Sequence, residues 1–205
     1  MQNSSLLPSR PKLILASILI LLSVLIAALA LSTLNSVKGG SGTALIGGPF
    51  TMLNEKGETV TEKTYAGKYM LLFFGFTNCG DICPTELQVI AAAFSEMGAT
   101  SDVITPILVT VDPERDTPQV MAEYVKNFHP RLQGLTGSAE QIAQFAKIYH
   151  IYFQKVPDLK NPANYTMDHS SILYLMGPDG KFIKHFTYTT DAKNLAERLK
   201  KVLQP

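Results

Sequence analysis

The sequence predicts an α/β domain, a central sheet with flanking helices, preceded by an apolar N-terminal segment. Two runs of strand length, KYMLLFFGF and VITPILVTV, are almost wholly apolar, which is typical of strands covered on both faces. A stretch with helical periodicity, PTELQVIAAAFSEM, lies between them. Right-handed crossovers make the two strands parallel neighbours. This alternation favours a sheet with helices on both sides.

The apolar N-terminal segment, residues 13–34, contains no charged side chain and is long enough for a transmembrane helix. Arg10 and Lys12 precede it, so the positive-inside bias places residues 1–12 in the cytoplasm and the rest on the far side. A cleaved signal peptide is the alternative, because the small residues at 28–30 resemble a cleavage site. In both cases the bulk of the protein is exported to a compartment where thiols can be oxidised.

The segments that follow predict a tether and then one folded domain. Residues 35–48 are rich in Gly and Ser, which is typical of a flexible tether, and the domain is expected over 49–205. FTMLNEKGETVTE predicts two short strands, and SSILYLMGPDGKFIKHF predicts a hairpin with a Pro-Asp-Gly turn. Helices are predicted after the N-caps Thr117 and Ser138, and over 191–202.

The balanced charge of the chain argues against nucleic acid as a partner. Its 205 residues include 18 Lys and Arg and 17 Asp and Glu, a formal net charge of +1. Binding of nucleic acid usually requires a basic patch or stripe. The composition therefore leaves the two cysteines as the most informative residues.

Cys79 and Cys83 lie in FFGFTNCGDICPTEL, where the first apolar strand passes into a helix. Pro84 suits the first helical turn, so Cys83 is expected at or near the N-cap, where the helix dipole favours thiolate. The pair could be a structural disulfide, a redox couple or part of a metal site. The disulfide is the least favoured, because so short a loop restricts the unfolded chain little and the domain can bury a sufficient core without it.

A metal site would need a third ligand, and the chain has four histidines. His169 stands out because YTMDHSSILYLMGPDG places it just before a strand. A lone histidine there is more often hydrogen-bonded or exposed than a ligand, so its role stays open on the residues alone. Asp168 either orients the ring or is a solvated turn residue. Met167 offers a thioether, although core filling is its more common role.

Three segments together resemble the signature segments of the Sco/SenC family: FFGFTNCGDICPTEL, VTVDPERDTP and MDHSSILYLMGPDGKF. That family consists of membrane-anchored, thioredoxin-like copper proteins that help assemble the dinuclear copper centre of cytochrome c oxidase. The resemblance runs from about Phe50 to the C-terminus. It implies a thioredoxin-like central sheet with flanking helices, preceded by one N-terminal transmembrane helix.

The resemblance also implies that Cys79, Cys83 and His169 bind copper, as Cu(I) or Cu(II). The donor chemistry agrees, because soft thiolates select Cu(I) and imidazole suits copper in both states. Structural zinc normally takes four protein ligands, whereas three suit a site that must release its ion. Asp112 is not assigned as a ligand, since a hard carboxylate matches Cu(I) poorly.

The chain departs from the commonest family pattern at two positions near the cysteines. Asn78 stands where many members have histidine, and Gly80 where many have proline. Neither residue is a ligand in the family, so the expectation of copper binding stands. A glycine at position 80 is expected to loosen the loop. The acid-rich segment VDPERDTP is expected to lie beside the site and to contact a partner protein.

Two functions follow from these observations. The first is a copper metallochaperone that delivers copper to the dinuclear site of cytochrome c oxidase subunit II and can also reduce that site's cysteines. The second is a membrane-anchored thiol–disulfide oxidoreductase with Cys79 and Cys83 as its redox pair. A thiol peroxidase is weaker, because the chain has a single clustered cysteine pair.

The resemblance further implies the partners and the location. Subunit II, other copper chaperones, thiol reductases and the membrane are the expected partners. The expected location is the inner membrane with the domain on the periplasmic side, or facing the intermembrane space in a mitochondrion. No classical enzyme activity beyond thiol–disulfide exchange is expected.

Overall fold

The computed structural model describes residues 14, 18–28, 45–159, 161 and 164–204. The chain divides into two compact units, Met1–Ala44 and Leu45–Pro205. In the first unit residues 18–28 are helical. No helix in the described part of the chain combines the length and the apolarity that a membrane crossing requires.

Several of the N-terminal predictions lie outside the described residues. The predicted cytoplasmic segment, residues 1–12, lies wholly outside them, and the predicted anchor, residues 13–34, lies largely outside them. Most of the predicted tether also does, because the description of the second unit begins at Leu45. The division into segments therefore stays a prediction.

Nine strands form two sheets in the described part of the second unit: β1 Thr51–Asn54, β2 Thr59–Thr61, β3 Tyr69–Gly75, β4 Ile104–Thr110, β5 Gln133–Thr136, β6 Phe153–Pro157, β7 Tyr165–His169, β8 Ile172–Met176 and β9 Phe182–Thr187. The larger sheet has the order β2-β1-β5-β4-β3-β8-β9. Strands β3 and β4 pair in parallel, as the sequence predicts, and β8 pairs antiparallel to β3. The two short strands predicted near the start of the domain, β1 and β2, are confirmed and pair antiparallel, and the predicted hairpin is confirmed as β8–β9.

Among the described residues of the second unit, four α-helices flank this sheet: α1 Ile82–Met97, α2 Pro118–Val125, α3 Ala139–Ile148 and α4 Ala192–Leu203. The predicted N-caps are confirmed, because the hydroxyls of Thr117 and Ser138 accept the backbone N–H of Val120 and Gln141. Asp191 caps α4 in the same way. Each side-chain oxygen satisfies a donor that the first helical turn leaves free.

The core is centred on β3 and β4, whose apolar runs are buried as the sequence predicts. Leu71, Leu72 and Phe73 are fully buried. Strand β4 runs through Pro106 without a break, and its ladder with β5 begins only at Ile107. Pro106 is in register with Leu71 of β3 but has no partner on the β5 side, where the missing backbone N–H of proline is tolerated. These buried strands fix the position of the carboxyl end of β3, from which the cysteine loop leaves.

A second, two-stranded sheet consists of β6 and β7 and is called the ribbon below. Its strands pair antiparallel, with Phe153 opposite His169. Most of β6 is exposed, and β7 alternates between half-buried and exposed side chains. Neither the ribbon nor β5 is predicted by the sequence pattern. His169 is therefore the last residue of a strand, and it does not simply precede one.

Candidate metal centre

The cysteine loop leaves the sheet at Gly75 and enters α1 at Ile82. Cys83 lies in the first turn of α1, two residues after the N-cap, which confirms the position expected from Pro84. Its side chain is fully buried, whereas that of Cys79 is partly exposed, and both are free thiols. A Cβ atom at Gly75 would lie 2.9 Å from Cys83 Sγ, so only glycine allows α1 to approach β3 this closely.

The three side chains that the family resemblance selects lie together beyond the carboxyl end of β3. The backbone N–H of Cys83 points at Cys79 Sγ, 3.4 Å away. Cys83 Sγ lies 3.7 Å from His169 Nε2, although the two residues are 86 positions apart. The contacts are pairwise. Within the described residues, no group of three or more His, Cys, Asp or Glu side chains makes a preformed metal site.

The separation of the sulfur and the nitrogen suits two ligands of one ion. Metal–sulfur and metal–nitrogen distances of about 2.3 and 2.0 Å give a ligand–ligand separation of about 3.5–3.8 Å at tetrahedral or trigonal angles. The observed 3.7 Å lies within this range. Cys83 and His169 therefore fit a shared soft metal, and Cys79 is adjacent to both.

The two thiols differ in proton affinity because they share a hydrogen bond. The Cys83 thiol donates to Cys79, and this contact lowers the pKa of Cys79; His169 and the N–H groups of Cys83 and Asp81 lower it further. The pKa of Cys83 is raised because its thiol is the donor to Cys79 and because it is buried. The partly exposed Cys79 is thus the thiolate at neutral pH, the form that attacks disulfides and binds metals.

The imidazole of His169 is held by a ring contact and a backbone carbonyl. Its ring meets Phe76 edge-on at 5.8 Å, and Nδ1 lies 3.3 Å from the carbonyl oxygen of Ser170. A carbonyl oxygen only accepts, so this contact places a proton on Nδ1. Asp168 is exposed on the opposite face of β7, so the ring's partner is the Ser170 carbonyl.

A cleft of about 350 Å³ opens beside the thiols. Cys79, His169 and Met167 line it, together with the exposed side chain of Ile82. Met167 is half-buried and packs against the core on the face of β7 that carries His169. A larger cavity of about 620 Å³ lies near Phe50 and Phe145 and includes none of the three candidate ligands.

Asp116 is a site residue that the sequence reading missed. Its buried carboxylate accepts the N–H and the hydroxyl of Thr77 at 3.1 and 2.6 Å, and the hydroxyl of Thr110 at 2.5 Å. Burial raises the pKa of Asp116 despite these donors. The carboxylate ties the start of the cysteine loop to the end of β4. The sequence offered no signal for this, because an acid before a helix is usually read as part of the helix start.

The segment VDPERDTP lies beside the site, as the resemblance implies. Asp112 is buried there and bonds Arg115 and the hydroxyl of Tyr165. Its carboxylate is therefore engaged away from the thiols. Contact of this segment with a partner protein stays a prediction.

A mixed sheet flanked by helices, with two thiols at the carboxyl end of a central strand and the start of a helix, defines a thioredoxin-like protein. The family model SCO1/SenC matches residues 38–204. The chain belongs to the SCO1/SenC family.

Relatives and solved structures agree with this assignment. The Arabidopsis thaliana protein SCO1 homolog 1, mitochondrial, is 44% identical over 172 residues, covering 82% of this chain and 51% of the relative. This chain thus spans about half the length of that relative, as it does of a human one.

Two solved structures bear on the site. The crystal structure of Arabidopsis thaliana ScoI with copper bound is 44% identical, with a TM-score of 0.73 over 78% of this chain and 99% of that one. BsSco, described with a disulfide switch as a member of the Sco family of cytochrome c oxidase assembly proteins, is 28% identical. Its TM-score is 0.61 over 78% of this chain and 94% of that one.

Proposed function

We propose that this chain is a copper metallochaperone that acts in cytochrome c oxidase assembly and carries copper on Cys79, Cys83 and His169. The observation that carries the proposal is the 3.7 Å separation of Cys83 Sγ and His169 Nε2, next to the thiolate of Cys79. Two sulfurs and one imidazole nitrogen are a soft donor set that suits copper. A related ScoI has been crystallised with copper bound.

Copper is the cargo of this site, and the arrangement suits uptake and release. Cys79 and the cleft are open to solvent, so an incoming ion reaches the thiolate first. Cys83 must lose its proton for copper to bind, because the metal ligand is the thiolate. The recipient that we propose is the dinuclear copper site of cytochrome c oxidase subunit II.

We further propose that residues 13–34 anchor the protein in the membrane. The support is the uncharged apolar run and the basic residues before it. The domain would then lie on the periplasmic side of a bacterial inner membrane, or face the mitochondrial intermembrane space, since the Arabidopsis relative is named as mitochondrial.

A second function, thiol–disulfide exchange, is supported by the asymmetry of the two thiols. The Cys79 thiolate would attack a partner disulfide and form a mixed disulfide, releasing one partner thiolate. Cys83 would then lose its proton and attack Cys79 Sγ, which releases the second partner sulfur as a thiolate. The partner gains two electrons, and Cys79 and Cys83 end as a disulfide. BsSco, a relative, is described with a disulfide switch.

The test compares His169→Ala with His129→Ala in the full chain. His129 is the matched control, because its ring also meets a phenylalanine edge-on, Phe94 at 5.5 Å. We expect His169→Ala to weaken Cu(I) binding by about 100-fold or more in anaerobic competition with a chromophoric chelator, and His129→Ala to leave it unchanged. Reduction of oxidised glutathione is measured in parallel. Unchanged copper affinity with slower exchange in His169→Ala would favour the second function.

A further inference from the structure

The ribbon is joined to the segment that follows β4 by a closed ring of polar contacts. Arg115 Nε donates to Asp112, and Arg115 Nη1 donates to the backbone carbonyl of Tyr165 at 2.9 Å. The Tyr165 hydroxyl donates in turn to Asp112 Oδ1 at 2.8 Å. Two of these residues follow β4, and the third begins β7. The guanidinium therefore bridges the carboxyl end of β4 and the ribbon.

Ring contacts extend this bridge to the candidate metal ligand. The Arg115 guanidinium lies 3.8 Å from the centroid of the Tyr165 ring and 5.8 Å from that of Phe76. The Phe76 ring meets His169 edge-on at 5.8 Å. A guanidinium held over aromatic faces and by a carboxylate keeps one orientation better than a lysine ammonium would.

The burial of the bridge indicates where its strength lies. The Asp112 side chain is 2% exposed and that of Arg115 is 25% exposed. A second ion pair links the ribbon to the same segment after β4. It joins Lys155 to Glu114 at 2.7 Å, and both side chains are largely exposed. Exposed ion pairs contribute little to the free energy of folding, whereas charge-assisted hydrogen bonds to a buried carboxylate contribute more. Arg115 is thus the stronger of the two ties.

The position of the bridge matters because His169 lies at the far end of the same strand. Tyr165 and His169 are the first and last residues of β7, which at about 3.3 Å per residue places them about 13 Å apart. A tilt at the Tyr165 end therefore moves the imidazole relative to the thiols. Binding sites need ligands held to about 0.5 Å by such supporting contacts.

We propose that Arg115 is a positioning residue that sets the copper affinity of the site by fixing the ribbon, and with it His169, over the two thiols. This inference rests on the proposed copper function and names the residue that tunes it. Arg115 does not touch the ion. It acts through the ribbon and the Phe76 ring.

The test is a double-mutant cycle in the full chain, combining Arg115→Lys with His169→Ala. Lysine keeps the charge but loses the planar fork that bonds Asp112 and the Tyr165 carbonyl. We expect Arg115→Lys to weaken Cu(I) binding by about 10-fold in the parent and by less than about 2-fold when His169 is already alanine. A general loss of structure would weaken binding equally in both backgrounds.

Arg131→Lys is the matched control. Arg131 is also half-buried, donates to the carbonyls of Ser101 and Ile104, and lies 5.4 Å from the Phe94 ring. We expect its replacement to leave Cu(I) affinity unchanged. Tyr165→Phe, which removes only the hydroxyl, serves as a second and milder variant. We expect it to change the NMR shifts of the His169 ring and to leave the fold intact.

The outcomes separate this inference from the proposed function. If His169→Ala weakens copper binding while Arg115→Lys does not, Arg115 has no positioning role and the copper function stands. Equal losses from Arg115→Lys in both backgrounds would also overturn the inference. If His169→Ala leaves copper affinity unchanged, the copper function itself fails, and the role of Arg115 fails with it.

Discussion

The two halves of the candidate site are built in different ways. The thiols lie on the seven-stranded sheet, where Cys83 is fully buried behind β3 and Asp116 fixes the start of the loop. The imidazole lies on the ribbon, whose strand β6 is mostly exposed and whose polar ties to the sheet edge include Arg115 and Lys155. The core encloses the first half, whereas the second is held by polar contacts and by the partly buried Phe153 and Met167.

This difference predicts which half opens more easily. Regions with few buried apolar contacts open at lower free energy than the core does. We therefore expect the ribbon, which carries the imidazole, to open at a lower free energy than the sheet that holds Cys83. Such a division suits a protein that must both retain and surrender its ion.

The largest expected effect is a difference in the free energy of unfolding between a substitution in the sheet and one in the ribbon. Leu72→Ala removes a fully buried side chain from β3 and should lower the free energy of unfolding by about 2–5 kcal/mol. Val156→Ala, at a ribbon position that is 39% exposed, should change it by less than about 0.5 kcal/mol. Urea denaturation followed by circular dichroism measures both. Similar losses would mean that the ribbon is as firmly held as the sheet.

A smaller effect on the sheet side depends on pH. Burial raises the pKa of Glu86, on α1, from 4.5 to about 7. The folded protein therefore holds this proton more tightly than the unfolded chain, so stability falls as the pH rises from about 4.5 to about 7 and the cost is constant above that. Glu86→Gln cannot ionise, and it should be more stable than the parent at pH 8 by up to about 3 kcal/mol.

The comparison of urea midpoints at pH 4.5 and pH 8 checks this expectation. The advantage of Glu86→Gln should be small at the lower pH, where the carboxyl of the parent is protonated in the folded protein and about half protonated in the unfolded chain. Asp168→Asn is the control on the ribbon, because that side chain is exposed. A Glu86→Gln effect that is the same at both values of pH would show that burial does not keep the carboxyl neutral.

The smallest expected effect concerns Met167 on the ribbon. Its side chain is half-buried, packs against the core and lines the cleft beside Cys79 and His169. Leucine has a similar volume, so Met167→Leu should change stability by less than about 1.5 kcal/mol and Cu(I) affinity by less than about 3-fold. A large loss of Cu(I) affinity with unchanged stability would instead assign the thioether as a ligand.

The sequence predicted the fold best where local chemistry decides it. The uninterrupted apolar run of β3 and the caps Thr117 and Ser138 are signals that need no tertiary context. The ribbon was missed because β6 and β7 are short and carry many polar side chains, so neither periodicity nor composition marks them. Strand β5, only four residues long, was missed for the same reason.

The candidate site divides in the same way. The positions of the two cysteines could be predicted from the local sequence, because Pro84 marks the first turn of α1. His169 was selected only by the family resemblance, since its approach to Cys83 spans 86 positions. The contacts of Asp116 and Arg115 join segments 39 and 50 positions apart, and no local pattern reports such a pairing.

The missing side chain at Gly75 decides how an ion can be accommodated. There is no room for even one carbon atom between the strand and the second sulfur, so Cys83 cannot retreat when a ligand arrives. Any widening of the site must come from the imidazole or from the partly exposed thiolate. Transfer of an ion would thus begin with its release from His169 or Cys79, and the buried sulfur of Cys83 would dissociate last.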